Sequence, residues 1–555
     1  MVVSWDNASI DEALQLRDDI SRPLASSGCE LQPAFTVVPM RGPSAASSTA
    51  SVHKPSLVEP ILLPESSGAA VTMVRALVIC RGKPHVAPAP AVPPGFYLSA
   101  EVTGPTARVV PAIKAAASAN GKQQVFELTW PMSDTGSFEL RVFQWYHDLF
   151  FGFKGGCQNK QVKLIQLPTT HVGRSPMSFS VLGSNNAPRR DDELPFCTRG
   201  ASVGRWVSPQ NSSGTQDEHL LTKSYGPNEK LPYRHEWRPI HCRLRSWTDV
   251  GAVADALARS FFSPLYGQSA SKLPWTVNFH FIGDSTGFYM GGVAAAALSK
   301  VPILHDGKFT GFTSHDGGKY RTRAYRTETT SALNEEIRLV VHTYQSTKAV
   351  TALGQLAVLR DIKKDKRTYN PRKGGANGGG ESHVFVFGDS TAHYNCPRFG
   401  WQDFEGIRKR TRDGAQELIQ EATATSESDP GTIAAVWLAP LFPVKTWVKR
   451  ARVLREDQME LWRAAETGKK VPCRSTDSTK SNEASSGRGS ASDGPRVVVV
   501  DQWAISEAPG MDGGGGDGVH YHHTYTPNGG GDRYAFKPHA ILHTVIGSML
   551  TALVG

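Results

Sequence analysis

The sequence predicts two domains: a smaller antiparallel β-sandwich followed by a doubly wound α/β domain with five mainly parallel strands. The chain has 555 residues, more than one hydrophobic core usually organises. Its earlier part favours alternation of apolar and polar residues, whereas the later part has continuous apolar runs separated by amphipathic stretches. Hydrophobic residues make up 39% of the chain, which is enough to fill a large core.

The predicted boundaries follow these changes in composition. In chain order they are a poorly ordered N-terminal segment at 1–34, the β-sandwich at 35–155, a linker at 156–190 and the α/β domain at 191–555. Two stretches of the last domain, 363–382 and 474–496, are rich in Gly, Ser and charge and have little apolar surface to bury. We expect both to be flexible insertions.

The five strands of the α/β domain are predicted from short apolar runs bounded by turn residues, the pattern of a parallel sheet buried on both faces. The runs are 276–282, 337–344, 384–387, 433–439 and 497–500. Apolar residues repeat at helical spacing over 250–261, 404–422 and 447–467, and Ala540–Val554 is predicted to be a buried closing helix. Helices that alternate with strands favour a doubly wound arrangement.

The sandwich is predicted from alternating runs such as 71–80 and 138–143. Between them, the segment 134–138 (DTGSF) is similar to the D-x-G-x-Y corner of immunoglobulin-like folds. Phe138 stands where a tyrosine hydroxyl would bond to the backbone. The segment therefore predicts an immunoglobulin-like sandwich whose corner lacks the tyrosine hydrogen bond.

The chain is basic, with a formal net charge of +10, and such a charge favours acidic partners. Its Lys and Arg residues cluster at 360–373, 408–412 and 445–455. We interpret these clusters as solvated helix faces and a loop, with an anion-binding patch as the alternative. Because no nucleic-acid recognition motif accompanies the charge, no nucleic acid partner is expected.

Cysteines and apolar segments bear on the compartment. Seven cysteines include no C-x-x-C pair, so a zinc ribbon is not expected, and disulfides are allowed without being required. No run reaches the ~20 apolar residues of a membrane span, so no transmembrane segment is expected. The first residues lack the basic start and apolar run of a signal peptide, which indicates a cytosolic protein or a true start upstream of this sequence.

A serine in a tight turn is the first candidate for chemistry. The apolar run that ends at Ile282 leads into Gly283-Asp284-Ser285 and then into an Ala-rich segment, which predicts strand, turn and helix. This order places Ser285 at the carboxyl edge of the sheet, beside helix N–H groups that can face an oxyanion. Gly283 permits the turn, Asp284 can tie it by hydrogen bonds, and both are candidates for contact with the substrate. The alternative is that Asp284 and Ser285 simply cap the helix.

A second Gly388-Asp389-Ser390 triplet follows the strand predicted at 384–387, so Ser390 is a rival nucleophile. The residues after it, which include His393, do not continue as a clean helical pattern. We therefore predict that this loop lines the site, with Asp389, Ser390 and His393 as candidates for oxyanion or substrate binding.

A base and an acid for Ser285 stand three positions apart in the D-x-x-H motif from Asp517 to His520. A general base must reach the serine hydroxyl, and a carboxylate must hold its other ring nitrogen, which are the roles predicted for His520 and Asp517. His520, His522 and His523 are alternatively a metal cluster. No matching ligand motif stands elsewhere, so no metal is predicted. An inert surface loop is the remaining alternative.

Together these motifs resemble the PC-esterase group of SGNH-type proteins, which includes trichome-birefringence-like and neurexophilin/PC-esterase-like families. The resemblance runs from about Phe196 to the C-terminus. Cys197 with 204–207 (GRWV) is similar to the C...G-x-W-V opening of these families, and 237–242 (WRPIHC) looks like their W-x-P-x-x-C segment. The preceding sandwich resembles the immunoglobulin- or filamin-like module of the neurexophilin-like branch.

The resemblance implies an SGNH-like α/β fold in which Ser285 is the nucleophile, His520 the base and Asp517 the orienting acid. It implies transfer of an acyl group, acetyl above all, to or from carbohydrate hydroxyls, by an O-acetyltransferase or an esterase. The partner is then a carbohydrate or glycan. No tightly bound cofactor is implied, and acetyl-CoA is a candidate donor. A disulfide between Cys197 and Cys242 is also implied, which suits the Golgi lumen or secretion.

One position departs from the family pattern. These families commonly show GDS-x-x-R, whereas Phe288 stands three residues after Ser285. Phenylalanine cannot donate a hydrogen bond, so a charge beside the nucleophile is missing or is replaced by another residue such as His393. The second functional hypothesis is therefore a catalytically inactive glycan-binding or adhesion protein.

Overall fold

The structure is a computed structural model, and it describes the chain in segments. They are 29–32, 36–39, 61–63, 72–81, 97–117, 123–146, 170–183, 193–200, 203–207, 236–245, 250–261, 275–298, 312–315, 321–328, 337–345, 351–365, 369, 381–388, 404–428, 432–441, 448–468, 496–511, 522–525, 535–538 and 540–554. Within these segments lie a 12-stranded sheet, a 7-stranded sheet and a two-stranded hairpin.

The first sheet consists of strands from the N-terminal part of the chain. They are β1 (Cys29–Leu31), β2 (Thr36–Pro39), β3 (Ile61–Leu63), β4 (Thr72–Arg81), β5 (Tyr97–Thr103), β6 (Thr106–Ala117), β7 (Gln123–Met132), β8 (Gly136–Tyr146), β9 (Thr170–His171), β10 (Met177–Gly183), β11 (Gly204–Val207) and β12 (Glu236–Pro239). The main strand order is β1-β4-β7-β6-β5-β8-β10-β3. Along this path the pairs are antiparallel except for β3 and β10, which run parallel.

One strand joins two groups within this sheet. The first half of β6 pairs with β5, and from Ala112 onward it pairs with β7. Side chains of β4, β5, β7, β8 and β10 nevertheless share one buried cluster that includes Val78, Leu128 and Leu140. Alternate residues of each strand therefore point into a common core, as period-two patterning predicts. The antiparallel strands are confirmed, whereas their immunoglobulin-like class stays a prediction.

The bounds of this region differ from the predicted ones. Strand β1 lies inside the predicted N-terminal segment 1–34, and β9 and β10 lie inside the predicted linker 156–190, so both boundaries were placed wrongly. These strands are only two to seven residues long, and β10 exposes alternate polar residues, so their apolar content resembles that of a linker. A disulfide between Cys29 and Cys80, which are opposite in register, fastens β1 to β4.

The second sheet and its helices follow in the later part of the chain. The sheet strands are β13 (Trp275–Gly283), β14 (Phe312–His315), β15 (Arg321–Glu328), β16 (Ile337–Gln345), β17 (Glu381–Gly388), β18 (Thr432–Leu438) and β19 (Arg496–Val500). The hairpin strands are β20 (His522–Tyr525) and β21 (Ala535–Pro538). The helices are α1 (Val250–Phe261), α2 (Ser285–Ala297), α3 (Ala352–Lys364), α4 (Phe404–Ser428), α5 (Val448–Glu466), α6 (Gln502–Met511) and α7 (Ala540–Val554).

The strand order of the second sheet is β14-β15-β16-β13-β17-β18-β19. The five predicted strands are confirmed as neighbours that run parallel, and β14 and β15 add an antiparallel margin beside β16. One hydrophobic cluster packs α1, α2, α6 and α7 on one face, and a second packs α3 and α4 on the other, with most of α5. Both faces are buried, which is why the strands read as continuous apolar runs.

Two features near the predicted insertions were misplaced. Residue 363, the predicted start of the first insertion, lies within α3, and residues 381 and 382 already belong to β17. Tyr369, inside the same stretch, is buried in the α3 cluster. Helix α6, which follows β19 directly, has no counterpart among the predicted helices. Lys-rich and Gly-containing helix ends mimic loop composition, which explains both errors.

A two-stranded ribbon links the two sheets. Strand β11 pairs with β12 and also with β6 of the first sheet. Arg205, buried on β11, forms an ion pair with Asp134 of the corner segment (Nε to Oδ2, 2.7 Å), and Trp206 Nε1 donates a hydrogen bond to the Ile505 carbonyl of α6 (3.1 Å). The disulfide between Cys197 and Cys242, the pairing that the family resemblance implies, closes the same region.

Among the helices in the described segments, none combines the length and the apolar character needed to cross a lipid bilayer. The closing helix α7 instead contributes Ile541, Val545 and Leu550 to the core on the α2 face of the sheet. Its prediction as a buried helix is confirmed.

Candidate active site

The predicted nucleophile stands at a reversal of strand order. From β13 the chain passes to β16 on one side of β13, and then to β17 on the other side. In open α/β sheets, such a reversal leaves a crevice outside the carboxyl ends of the two central strands, where ligands bind. Helix α2 begins at Ser285, directly after β13 and Asp284. The strand, turn and helix predicted around Ser285 are confirmed.

Three glycines allow the backbones to meet at this point. A Cβ atom on Gly283 would lie 3.2 Å from both Gly287 Cα of α2 and the Gly388 carbonyl oxygen of β17. A Cβ on Gly388 would likewise lie 3.2 Å from Gly287 Cα. These distances are tighter than ordinary contacts, so a side chain at Gly283 or Gly388 would need the neighbouring backbone to shift by a few tenths of an ångström. The first turn of α2 is thereby held against the strand ends.

Asp284 fixes the start of α2. Its Oδ1 accepts hydrogen bonds from the Thr286 backbone N–H (2.9 Å) and from the Thr286 hydroxyl (2.7 Å), and its side chain is buried. A carboxylate at this position also interacts favourably with the positive end of the helix dipole. The prediction that Asp284 ties the turn is confirmed, which assigns it a structural role.

The second GDS triplet begins beside the first. Strands β13 and β17 are paired in register, with Ile282 opposite Phe387, so both triplets leave the sheet at the same edge. The Gly388 carbonyl accepts a hydrogen bond from Gln355 Nε2 of α3 at 2.5 Å. Asp389, Ser390 and His393 lie outside the described residues. The sequence did not predict α3, so it also gave no sign that Gln355 supports this turn.

The predicted acid and base, Asp517 and His520, also lie outside the described residues. Strand β19, which leads toward them, ends at Val500 on the same edge of the sheet as β13. His522 and His523 fall on β20, where they are opposite Pro538 and Lys537 in register. Within the described segments, no group of three or more His, Cys, Asp or Glu side chains is arranged to hold a metal ion.

Acidic residues not predicted from the sequence follow β19 directly. Asp501 is buried, accepts hydrogen bonds from the Arg455 guanidinium of α5 (Nε to Oδ1, 3.2 Å) and caps α6 through the Ala504 N–H. Burial raises the pKa of Glu507, one turn further along α6, and the nearby Arg452 and Arg455 partly oppose this. These groups anchor the helix that leads into the Asp517–His520 segment.

A buried polar cluster lies inside the same sheet, behind the edge. His280 of β13 is fully buried, with Nε2 3.0 Å from Nδ1 of His383 on β17 and Nδ1 3.3 Å from the Tyr344 hydroxyl on β16. The His342 ring stacks on the His280 ring at 4.9 Å, and its Nε2 lies 3.2 Å from Asn278 Oδ1. Three adjacent strands thus place imidazoles on one face, under α3.

The protonation state of this cluster follows from its surroundings. The bond between His280 and His383 needs one ring nitrogen without a proton. Burial lowers the pKa of His280 well below its ordinary value, and the neighbouring His342 and His383 lower it further. Burial raises the pKa of Tyr344, and Asp365 adds to this rise. His280 and Tyr344 are therefore neutral at physiological pH.

The sequence carried a signal for this cluster. Each of the runs predicted at 276–282 and 337–344 is interrupted by a histidine, and His383 immediately precedes the run at 384–387. A titratable residue within a strand buried on both faces requires a polar partner, so three of them predict mutual contact. Sequence reasoning followed the apolar residues and missed the histidines.

No protein family model matches this chain, and a search of curated proteins found no match either. The resemblance to the PC-esterase group thus rests on the sequence motifs.

Proposed function

We propose that this protein transfers an acyl group such as acetyl to or from a carbohydrate hydroxyl, through a covalent ester on Ser285. The observation that carries the proposal is the position of Ser285, the first residue of α2 at the strand-order reversal. The N–H groups of the first turn of a helix are donors without partners in the helix, and they suit the oxyanion of a tetrahedral intermediate.

The reaction has two steps. Ser285 Oγ attacks the carbonyl carbon of the donor while His520 takes its proton and Asp517 holds the imidazole. The bond from that carbon to the leaving group breaks, and the leaving group takes the proton from His520. A sugar hydroxyl then attacks the Ser285 ester, and its proton passes through His520 to Ser285 Oγ. With water in place of the sugar, the same steps give an esterase.

Three features of the fold support the same proposal. The order of the five parallel strands, with helices on both faces, supports an SGNH-like domain. The antiparallel strands that share one core support an immunoglobulin- or filamin-like module before it. The disulfides Cys29–Cys80 and Cys197–Cys242 support folding in an oxidising compartment such as the secretory pathway.

The test is the hydrolysis of a chromogenic acetate ester, together with acetyl transfer to oligosaccharides from acetyl-CoA or the ester. We expect Ser285→Ala and His520→Ala each to lower kcat by about 10³-fold or more, without loss of the folded state. Ser390→Ala is the matched control at the neighbouring strand end, and it should retain most of the rate. Loss of turnover in Ser390→Ala alone would move the nucleophile to the second triplet.

A second candidate function is a glycan-binding protein that has lost catalysis. The observation that favours it is Phe288, which occupies the first turns of α2, where the related families carry arginine. Glycan binding without any reaction at Ser285 would support this alternative. Restoring the charge with Phe288→Arg should raise the esterase rate if the site is otherwise intact.

A further inference from the structure

Two arginines are stacked on one exposed aromatic ring near the disulfide Cys197–Cys242. The guanidinium carbon of Arg243 lies 4.2 Å from the centre of the Phe196 ring, and that of Arg245 lies 4.5 Å from the same centre. Phe196 is 37% exposed, so the group stands at the protein surface. Both guanidiniums are thereby held against the same ring.

The backbone around this group is held firmly. Phe196 and Arg243 form an isolated β-bridge, with hydrogen bonds from Cys197 N to Arg243 O (3.0 Å) and from Arg243 N to Pro195 O (2.9 Å). The disulfide crosses beside this bridge, and the Arg245 N–H donates to the Thr551 hydroxyl of α7 (3.2 Å). The arginines are therefore presented from a cross-linked base.

The charges of the two arginines are not balanced within the part of the chain that the structure describes. No Asp or Glu of that part forms an ion pair with Arg243 or Arg245, whereas Arg205 on the neighbouring ribbon is paired with Asp134. The Nε atoms of Arg243 and Arg245 are buried without a hydrogen-bond partner, and their terminal nitrogens are not among the buried atoms that lack one.

Two positive charges held on one ring repel each other, and an anion that contacts both would relieve the repulsion. A guanidinium that stacks on a ring keeps its N–H groups in its own plane, in the fork that matches the two oxygens of a carboxylate or sulfate. The three residues also combine an aromatic surface with charge. This combination suits a saccharide that carries an acidic group.

We propose that Phe196, Arg243 and Arg245 form a binding site for acidic polysaccharide, in which the two guanidiniums hold a carboxylate or a sulfate group. The anion chemistry follows from the arginines, and the saccharide class rests on the proposed function. The site is built on different elements from the GDS turns. It would hold the polymer during reaction without taking part in the chemistry.

The test measures binding of the full chain to dextran sulfate, polygalacturonate and neutral dextran at one fixed salt concentration. We expect both charged polymers, or one of them, to bind more tightly than neutral dextran, and the stronger one identifies the anion. Arg243→Gln with Arg245→Gln should weaken that binding by about tenfold or more. Lys364→Gln with Lys409→Gln removes the same charge from exposed positions of α3 and α4, and it should change binding by less than about twofold.

Binding unchanged in the arginine double variant, or weakened equally in the lysine control, would overturn the proposal. If the double variant does not fold, Phe196→Leu and Arg243→Lys keep the charge and test the stacked fork, and both should still weaken binding. A protein that binds through the arginines but never acylates Ser285 would refute the proposed function and leave this site standing.

Discussion

Strands β13 and β17 carry glycines at the carboxyl edge of the parallel sheet and histidines in its interior. At the edge, Gly283 of β13 and Gly388 of β17 let the two strand ends approach the first turn of α2 closely. In the interior, His280 and His383 of the same strands bond to each other under α3. Titratable groups therefore do not by themselves mark a functional site. Here His280 and His383 are hydrogen-bonded to each other in the buried interior, away from solvent.

The largest change in the free energy of unfolding is expected at Gly291, where α2 packs against the interior of the sheet. A Cβ on Gly291 would lie 2.3 Å from Thr343 Cγ2, whereas a Cβ on Gly287, one turn earlier, would lie 3.6 Å from its nearest non-neighbouring atom, the Ile282 carbonyl oxygen. Gly291→Val should therefore lower the free energy of unfolding by about 3 kcal/mol. Gly287→Ala, the control, should change it by no more than about 1 kcal/mol. Equal denaturation midpoints for both variants would show that α2 packs differently.

A smaller change in the free energy of unfolding is expected at Gln355, which donates a hydrogen bond to the Gly388 carbonyl of the second triplet. Gln355→Met leaves the buried Gly388 carbonyl without its donor, and it should lower the free energy of unfolding by about 1–3 kcal/mol. Gln420→Met, on the exposed face of α4, should alter it by no more than about 0.5 kcal/mol. Amide hydrogen exchange should also speed up at the end of β17 in the first variant only. Unchanged exchange there would mean that the carbonyl does not depend on Gln355.

The interior cluster predicts a pH dependence of stability. Because the pKa of His280 is lowered in the folded state, the unfolded chain binds a proton first as the pH falls. This contribution to stability is complete above the unfolded pKa of about 6.5 and is lost as the pH falls toward the folded pKa, by at most about 1.4 kcal/mol per pH unit.

Urea denaturation of wild type and His280→Gln across acidic pH measures this contribution. The variant should lose less stability per pH unit than the wild type, although it is less stable at neutral pH. Parallel curves for wild type and His280→Gln would contradict a neutral buried His280.

The sequence predicted those parts of the molecule that follow from local patterns. The five apolar runs correspond to the parallel strands, because a strand buried on both faces needs a continuous apolar sequence. Gly283-Asp284-Ser285 corresponds to the turn before α2, because the start of a helix favours capping residues such as Asp and Ser. It failed on β1 and β10, whose few residues gain their stability from partners distant in the chain and, for β1, from a disulfide.

Some features of the candidate site could likewise be predicted from the sequence and others could not. The position of Ser285 could be predicted from its own strand and helix. The loop after Gly388 was also predicted to line the site. The direct pairing of β13 with β17 could not be predicted, because it depends on which strands are adjacent in the sheet. Gln355 was missed for the same reason, since a single polar residue on an amphipathic helix has no pattern of its own.

The most direct test of the account is the site of reaction with a fluorophosphonate probe, mapped by mass spectrometry of peptides from the intact, oxidised protein. We predict a single adduct on Ser285, which disappears in Ser285→Ala and persists in Ser390→Ala. An adduct on Ser390 with Ser285 unmodified, or no adduct on either serine while the protein remains folded, would contradict the assignment of the edge of β13 as the catalytic centre.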